Sequence, residues 1–283
     1  MAEDGVLLRI RTPAGRMRLN TLRGLQSAAQ RYGDGRLYIT SRANVQIRGV
    51  GDGLADLTSH IHELGLLPSP AHDRVRNIMA SPLSGRLAGR ADVATIASQL
   101  DRMLMDDEEF TLLPGRFLFV LDDGRGDLID RNLDLGLVAT SDDYGQLRVG
   151  THRWGAHVRL DRAAHDLIAL ARMFLRLRGS GDNAPWHVDE LDQPELDALA
   201  KPHPRDARTI VRSANPPYTI LRQDDGRYCA HIPVPEGVLS PGSDVLAQAG
   251  TDVIITPWRS LLLPDLDRPN AIQSNPERRR CLD

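Results

Sequence analysis

Apolar positions recur along this chain with the two periods that separate helices from strands. Val6 to Arg11 reads as a strand, which the Pro13-Ala14-Gly15 turn ends. Leu22, Leu25, Ala29 and Tyr32 then fall at helical spacing, with Asn20 placed to cap the helix and Gly33 and Gly35 to stop it. Arg36 to Arg48 returns as extended chain, Val45 and Ile47 alternating against polar neighbours, which completes a β-α-β unit. Leu54, Leu57, Ile61 and Leu64 predict a second helix ended by Gly65, and residues from Leu66 to Asp73 read as a linker.

The middle of the chain changes character. A helix is predicted over Asp92 to Met105 from Val93, Ile96, Leu100 and Leu104, followed by an apolar strand, Phe117 to Leu121, turned by Asp122-Asp123-Gly124. Further strands are expected over Leu135 to Thr140, Gln146 to Val149 and Ala156 to Leu160, and a long helix over Ala163 to Arg178. Gly179 to Pro217 is polar and proline-rich, with one short helix around Glu190 to Ala200.

Beyond it the opening pattern returns. Arg9-Ile-Arg-Thr-Pro-Ala-Gly15 aligns with His231-Ile-Pro-Val-Pro-Glu-Gly237, and Tyr38-Ile-Thr-Ser-Arg42 with Ile254-Ile-Thr-Pro-Trp258, the second copy having a shorter middle helix. Either two short β-α-β units coincide by chance, or related lobes pack about a pseudo-two-fold axis with a ligand at their shared edge.

Composition narrows the function classes. With 283 residues the chain can bury a large core, and a net charge of −3 gives no bulk attraction for nucleic acid or an anionic membrane, so anion binding must be local. No apolar run approaches a membrane span and the first residues lack a signal-peptide layout, so the expected location is cytoplasmic. Cys229 and Cys281 are the two cysteines, read as unrelated thiols and not as metal ligands.

The candidate chemistry is basic. Strand alternation sends Arg42, Asn44, Gln46 and Arg48 to one face, Arg9 and Arg11 share a face of the first strand, and a crossover is expected to set the two strands side by side in parallel. That gathers four arginines, which repel unless carboxylates, phosphates or solvent balance them; a polyanion site and a solvated sheet face both satisfy the pattern. Arg74-Val-Arg-Asn77 adds two arginines and an amide, and Arg116 and Arg148 lie beside later strands. His60 and His62, two apart, do not stack as helical metal ligands, and Asp122, Asp123 and Asp127 suit a hairpin turn better than a metal site. No dinucleotide fingerprint, phosphate-binding P-loop or nucleophile elbow occurs.

These motifs carry a resemblance. Gly33-Asp-Gly-Arg-Leu-Tyr-Ile-Thr-Ser-Arg-Ala-Asn-Val-Gln-Ile-Arg-Gly49, Arg74-Val-Arg-Asn-Ile-Met-Ala-Ser-Pro-Leu-Ser-Gly85, Leu113-Pro-Gly-Arg-Phe-Leu-Phe-Val-Leu-Asp-Asp-Gly124 and Thr256-Pro-Trp-Arg-Ser-Leu-Leu-Leu-Pro264 resemble the nitrite/sulfite reductase family, within it the precorrin-3B synthase branch of cobalamin biosynthesis. The resemblance implies an α+β fold, with ferredoxin-like half-domains at 1–70 and 218–266 about a larger α/β sirohaem-type half-domain at 71–180, a linker at 181–217 and a tail at 267–283.

It further implies that Arg42, Asn44, Gln46 and Arg48, together with Arg9, hold the carboxylates of sirohaem or a precorrin-type tetrapyrrole. Arg11 and Arg76 would face the reacting centre, with Asn77 nearby. Arg116 stands where reductases carry a first active-site lysine and Leu118 where they carry a second. The family's 4Fe–4S cluster is expected, but its four cysteines are absent, so a half-domain is expected to be missing and a partner polypeptide to supply it. The implied function is a precorrin-3B synthase-like oxidoreductase; a tetrapyrrole-binding protein without catalysis and a truncated fragment are the alternatives.

Overall fold

The computed structural model describes residues 6–242 and 250–269, and the chain divides into two units, Met1–Pro68 with Pro216–Asp283, and Ser69–Asn215. The first unit opens with β1 (Val6–Ile10), β2 (Arg16–Arg18), α1 (Leu19–Tyr32), β3 (Leu37–Ile39), β4 (Val45–Val50) and α2 (Leu54–Glu63). Leu22, Leu25 and Ala29 are buried as their spacing predicts. Asn20 is not the cap of α1: it lies inside the first turn, and Arg18 takes the cap position with no side-chain bond. One of the free N–H groups at this helix start, that of Leu19, instead donates to the Thr251 carbonyl at 2.9 Å.

The second unit carries β5 (Ile78–Ala80), α3 (Ala94–Met105), β6 (Phe119–Asp122), β7 (Leu135–Ala139), β8 (Tyr144–Val149), β9 (Arg153–Arg159), α4 (Ala163–Arg178) and α5 (Gln193–Leu199). Its sheet runs in the order β5-β6-β7-β8-β9, parallel through β7 and antiparallel beyond. Every residue of β5, β6 and β7 is buried, as a strand covered on both faces requires. Helices α3 and α4 pack together, with Phe174 of α4 against Phe117 beside β6. Much of the stretch expected as a linker is bonded to this unit: Gln146 donates to the Pro204 carbonyl at 2.8 Å and accepts from the Asp206 N–H, and the Val188 N–H donates to Asp134.

The chain then returns to the first unit as β10 (Ile220–Arg222), β11 (Tyr228–Pro233), β12 (Val238–Leu239), β13 (Asp252–Ile255) and β14 (Ser260–Leu266). The expected middle helix of this repeat falls on 243–249, outside the described residues, as do Cys281 and most of the expected tail. Two antiparallel sheets result, β1-β4-β3-β12 and β10-β11-β14-β13-β2, so each repeat lends a short strand to the sheet of the other.

The correspondence extends to single residues. Ala14 and Glu236 both sit in left-handed backbone, φ 56° and 53°, each followed by a positive-φ glycine, Gly15 and Gly237. The paired turns Thr40–Asn44 and Thr256–Ser260 have Ala43 and Arg259 at φ 56° and 57°. In each turn the threonine hydroxyl accepts from the N–H groups two and four residues on. One core of both repeats, including Leu22, Ile47, Ile232, Val253 and Leu263, lies between the sheets and helices. No helix among the described residues is long and apolar enough to cross a membrane.

Candidate functional site

The predicted basic strand is a hairpin. Extended chain was expected from Arg36 to Arg48, but the Thr40–Asn44 turn divides it, because Ala43 adopts αL backbone and its N–H donates to the Thr40 carbonyl. Arg42 and Asn44 therefore belong to the turn and do not alternate along a strand with Gln46 and Arg48. The first strand is also not parallel to its neighbour: β1 and β4 are antiparallel, with Arg9 opposite Gln46 and Ile10 opposite Val45. An antiparallel pair is available because the crossover from β1 through α1 enters β3, which turns back tightly into β4.

This register builds one rung across three strands, Arg9 on β1, Gln46 on β4 and Tyr38 on β3. Arg48, two residues along the same face from Gln46, donates to its Oε1 from Nε at 3.3 Å and Nη2 at 3.0 Å. The Arg48 guanidinium carbon also stands 4.1 Å from the centroid of the Tyr38 ring. Arg9 and Arg48 are exposed, and among the described residues neither forms a salt bridge. Val45 and Ile47 point the opposite way and are fully buried.

Of the remaining expected residues of this repeat, Asn44 and Arg11 are buried. Asn44 accepts from the Thr12 N–H at 3.0 Å through Oδ1, and Thr12 donates its hydroxyl to the Ala43 carbonyl, tying the end of β1 to the hairpin turn. Arg11, just past β1, is buried beside this junction, while Arg42 is half-buried.

In the second unit, Arg76 makes a two-point ion pair with Asp101 of α3, Nε to Oδ1 at 2.7 Å and Nη2 to Oδ2 at 2.9 Å. Asn77 donates to the carbonyls of Arg74 and Gly115, so it joins its own loop to the one carrying the exposed Arg116. Leu118 is buried, its N–H held by Asp134. Arg148 is buried too, donating to the carbonyls of Ile129 and Thr151, with burial drawing its pKa down. These bonds make it a structural residue of its own unit.

Two groups escaped the reading from sequence, and a third was seen there but assigned to a hairpin turn. Tyr38 was a hydrophobic position of the repeat, and only the register places its ring beside Arg48. Asp101 lies 25 residues from Arg76 on the polar side of a helix, with no local motif. The third is a buried carboxylate knot after β6. Asp122 accepts the backbone N–H groups of Gly124 and Gly126 on Oδ1 and of Leu128 on Oδ2. Asp123 holds Arg125, and Asp127 accepts the Ser81 hydroxyl at 2.6 Å on Oδ1. The three carboxylates approach within 4.8 Å of one another, and they do not form the expected hairpin turn, because β6 and β7 run parallel and the chain leaves β6 through a loop folded around these side chains.

The second repeat has lost the basic face. At the positions of Arg9, Arg42, Asn44, Gln46 and Arg48 it carries His231, Trp258, Ser260, Leu262 and Pro264. His231 bonds through Nδ1 to the Pro216 and Pro217 carbonyls, which only accept, so that nitrogen carries the proton and Nε2 accepts from the Ser260 hydroxyl at 2.7 Å. Burial holds its pKa below the ordinary histidine value, consistent with the neutral ring this pattern requires.

Exposed guanidinium groups flanking an amide can bind a polycarboxylate, and that donor set fits the edge of a carboxylated tetrapyrrole. The residues do not fit a 4Fe–4S cluster ligated by this chain alone, because two cysteines cannot supply four thiolates.

Comparison with known proteins agrees with the fold. Residues 1–60 match the model of the nitrite/sulfite reductase ferredoxin-like half domain. A ferredoxin–nitrite reductase of Synechococcus elongatus is 28% identical over 213 residues, which cover 65% of this chain and 41% of that protein. Its counterpart in Leptolyngbya laminosa is 30% identical over 125 residues, 41% of this chain and 24% of the relative. The chain thus spans less than half the length of these relatives. The structure of the Mycobacterium tuberculosis NirA protein superposes with a TM-score of 0.72 at 16% identity, over 93% of this chain and 54% of that one. The first sixty residues therefore match a nitrite/sulfite reductase ferredoxin-like half domain, in a chain that shares the α+β fold of NirA.

Proposed function

We propose that this chain is an oxidoreductase component of the nitrite/sulfite reductase type that binds a polycarboxylate tetrapyrrole, acting on the precorrin side of the family and not on nitrite or sulfite. The observation that carries the reading is the rung of Arg9, Gln46 and Tyr38 with Arg48 beside it, two exposed cations on one sheet face with no carboxylate paired to them among the described residues. Arg9 and Arg48 would take ring carboxylates, and Asn44 would hold the turn that presents Arg42.

A bound iron tetrapyrrole would supply the redox chemistry. The protein's share is to grip and orient the ring and to set the charge around it. Leu118, buried and apolar where reductases resembling this chain carry a lysine, gives no cation there to stabilise an oxyanion, which disfavours nitrite or sulfite. Arg76 is already neutralised by Asp101 within its own unit, so it offers less than a full charge to an anion. Since these 283 residues hold two cysteines, turnover by the iron–sulfur route calls for cluster thiolates from outside them.

Absorbance titration of the purified chain with uroporphyrin III tests the grip. The wild type should bind, and Arg9→Ala with Arg48→Ala together should weaken binding about 30-fold at low salt, roughly fivefold per charge-assisted contact. Equal affinities for the wild type and the double variant would remove this face as the site. Reconstitution with iron and sulfide, followed by acid-labile sulfide analysis, separates the two modes: ring binding without sulfide describes a tetrapyrrole binder with no cluster held by these residues.

A further inference from the structure

We infer that Tyr38 is a positioning residue for the anion grip, holding the Arg48 guanidinium at the angle from which it meets a ring carboxylate. The inference rests on the tetrapyrrole reading and adds to it a residue that no basic motif contains.

An arginine on an exposed strand ordinarily samples many rotamers, and fixing it on binding costs affinity. Arg48 is held from two directions. Gln46 accepts from Nε and Nη2, and the guanidinium carbon lies 4.1 Å from the Tyr38 ring centroid, well within cation–π range. The ring is anchored in turn, because the Tyr38 hydroxyl donates to Asp34 Oδ2 at 2.5 Å while Asp34 Oδ1 accepts the Arg36 N–H at 3.0 Å. Arg36 N–H, Asp34, Tyr38, Arg48 and Gln46 thus form a relay that begins on the backbone at the start of β3 and ends on the rung shared with Arg9.

The repeat shows what happens where this relay is missing. Tyr38 aligns with Ile254 and Arg48 with Pro264, so the second lobe has neither ring nor guanidinium at these places. Aromatic platform and cation are present together in one repeat and absent together in the other. Asp34 is engaged with the phenol and with the backbone of Arg36, and no carboxylate among the described residues pairs with Arg48.

The test combines a binding cycle with a measurement on the ligand-free protein. Uroporphyrin III titrations compare Tyr38→Leu, Tyr38→Phe, Arg48→Ala and the Tyr38→Leu/Arg48→Ala double variant. Tyr38→Leu should weaken binding about fourfold, in line with an exposed cation–π contact, and Tyr38→Phe, which keeps the ring face, by less than about twofold. In the Arg48→Ala background Tyr38→Leu should add almost nothing, because the group it positions is gone. In the free protein, NMR should show an upfield ring-current shift of the Arg48 side-chain protons that survives Tyr38→Phe and disappears in Tyr38→Leu.

Multiplying effects in the double variant, or an unshifted Arg48 in the wild type, would overturn the positioning role while leaving ring binding intact. A wild-type chain that fails to bind uroporphyrin III overturns the tetrapyrrole reading itself and the role of Tyr38 with it.

Discussion

Asp127→Asn is expected to stabilise the protein, by an amount that grows with pH. Asp127 is 3% exposed, its Oδ1 accepts the Ser81 hydroxyl, and its Oδ2 has no hydrogen-bond partner. Burial first, and then the charge of Asp122, push its pKa up to about 7 from 3.8. Asp122 is also raised by burial, but three backbone N–H groups favour its anion, so the shared proton resides on Asp127. Arg125 is held by both oxygens of Asp123, stands 3.8 Å from Asp127 and balances only part of the charge, with Arg131 contributing further from outside the knot.

The sign follows from linkage. The folded pKa lies above the unfolded one, so folding takes up a proton between pH 4 and 7, and the stability tied to that proton is complete below about pH 4 and lost as pH rises through about 7. Asparagine imitates the protonated carboxyl, accepting from Ser81 and directing its amide N–H groups toward Asp122. Its advantage should be near zero at pH 4 and should approach about 4 kcal/mol above pH 7.5, from roughly three pKa units at 1.36 kcal/mol each. Urea unfolding of both proteins at pH 4, 6 and 8 measures this. A difference that does not change with pH would mean that Asp127 is ionised throughout. Addition of Mn2+ or Ca2+ should leave the wild-type midpoint unchanged; a rise that Asp127→Asn abolishes would instead make the knot a cation site.

The contrast between what was legible and what was not has a physical origin. Helix α4 was readable to the residue, because Leu167, Ile168, Ala171, Phe174 and Leu175 supply a 3.6-residue stripe and Gly179 follows it. The repeat was readable because its signals are local: a Pro-x-Gly turn and an Ile-Thr strand end. Strand direction was not. The pairing of β1 with β4 is decided jointly with β12 on β3 and β13 on β2, contacts that span some two hundred residues and leave no periodic mark. The Thr40–Asn44 turn was hidden for another reason. Its left-handed residue is Ala43, where glycine or asparagine would have announced a hairpin, and the strain is borne by bonds to the Thr40 hydroxyl and carbonyl.

The same distinction applies to the basic residues. Spacing alone gathered Arg9, Gln46 and Arg48, which do share a face, with Arg42 and Asn44, which occupy a turn. Side-chain partners decide which cations are available, and these partners are distant in sequence. Arg76 looked equivalent to Arg48 in a motif, yet Asp101 neutralises it, while the partners of Arg48 among the described residues are an amide and an aromatic ring. One lobe carries cations on its polar face, whereas the position corresponding to Arg9 in the other is His231, bonded to Ser260 and packed beside Tyr218 and Trp258.

If the lobes are true repeats, equivalent substitutions at their crossing points should damage both, and by predictably different amounts. Gly15 and Gly237 sit at φ 68° and 72°, so an alanine at either place is strained by its backbone alone, by roughly 1–2 kcal/mol. Each glycine also faces a strand end of the other repeat. A Cβ on Gly15 would lie 2.0 Å from the Ile255 carbonyl oxygen, and one on Gly237 would lie 3.0 Å from the equivalent Ile39 oxygen. The first distance cannot be accommodated without moving β13 away from β2, since the atom met is backbone. The second Cβ, which would also lie 3.0 Å from the Arg259 Cβ and Cδ, needs a shift of a few tenths of an ångström. Gly15→Ala should therefore cost about 4 kcal/mol or more and Gly237→Ala about 2 kcal/mol, measured as midpoint shifts in urea with unchanged slopes. Equal losses at the two sites would show that only the left-handed backbone matters and that the lobes are not closely interlocked at the Gly15 crossing. A larger loss at Gly237 would reverse the packing order that the exchanged strands impose.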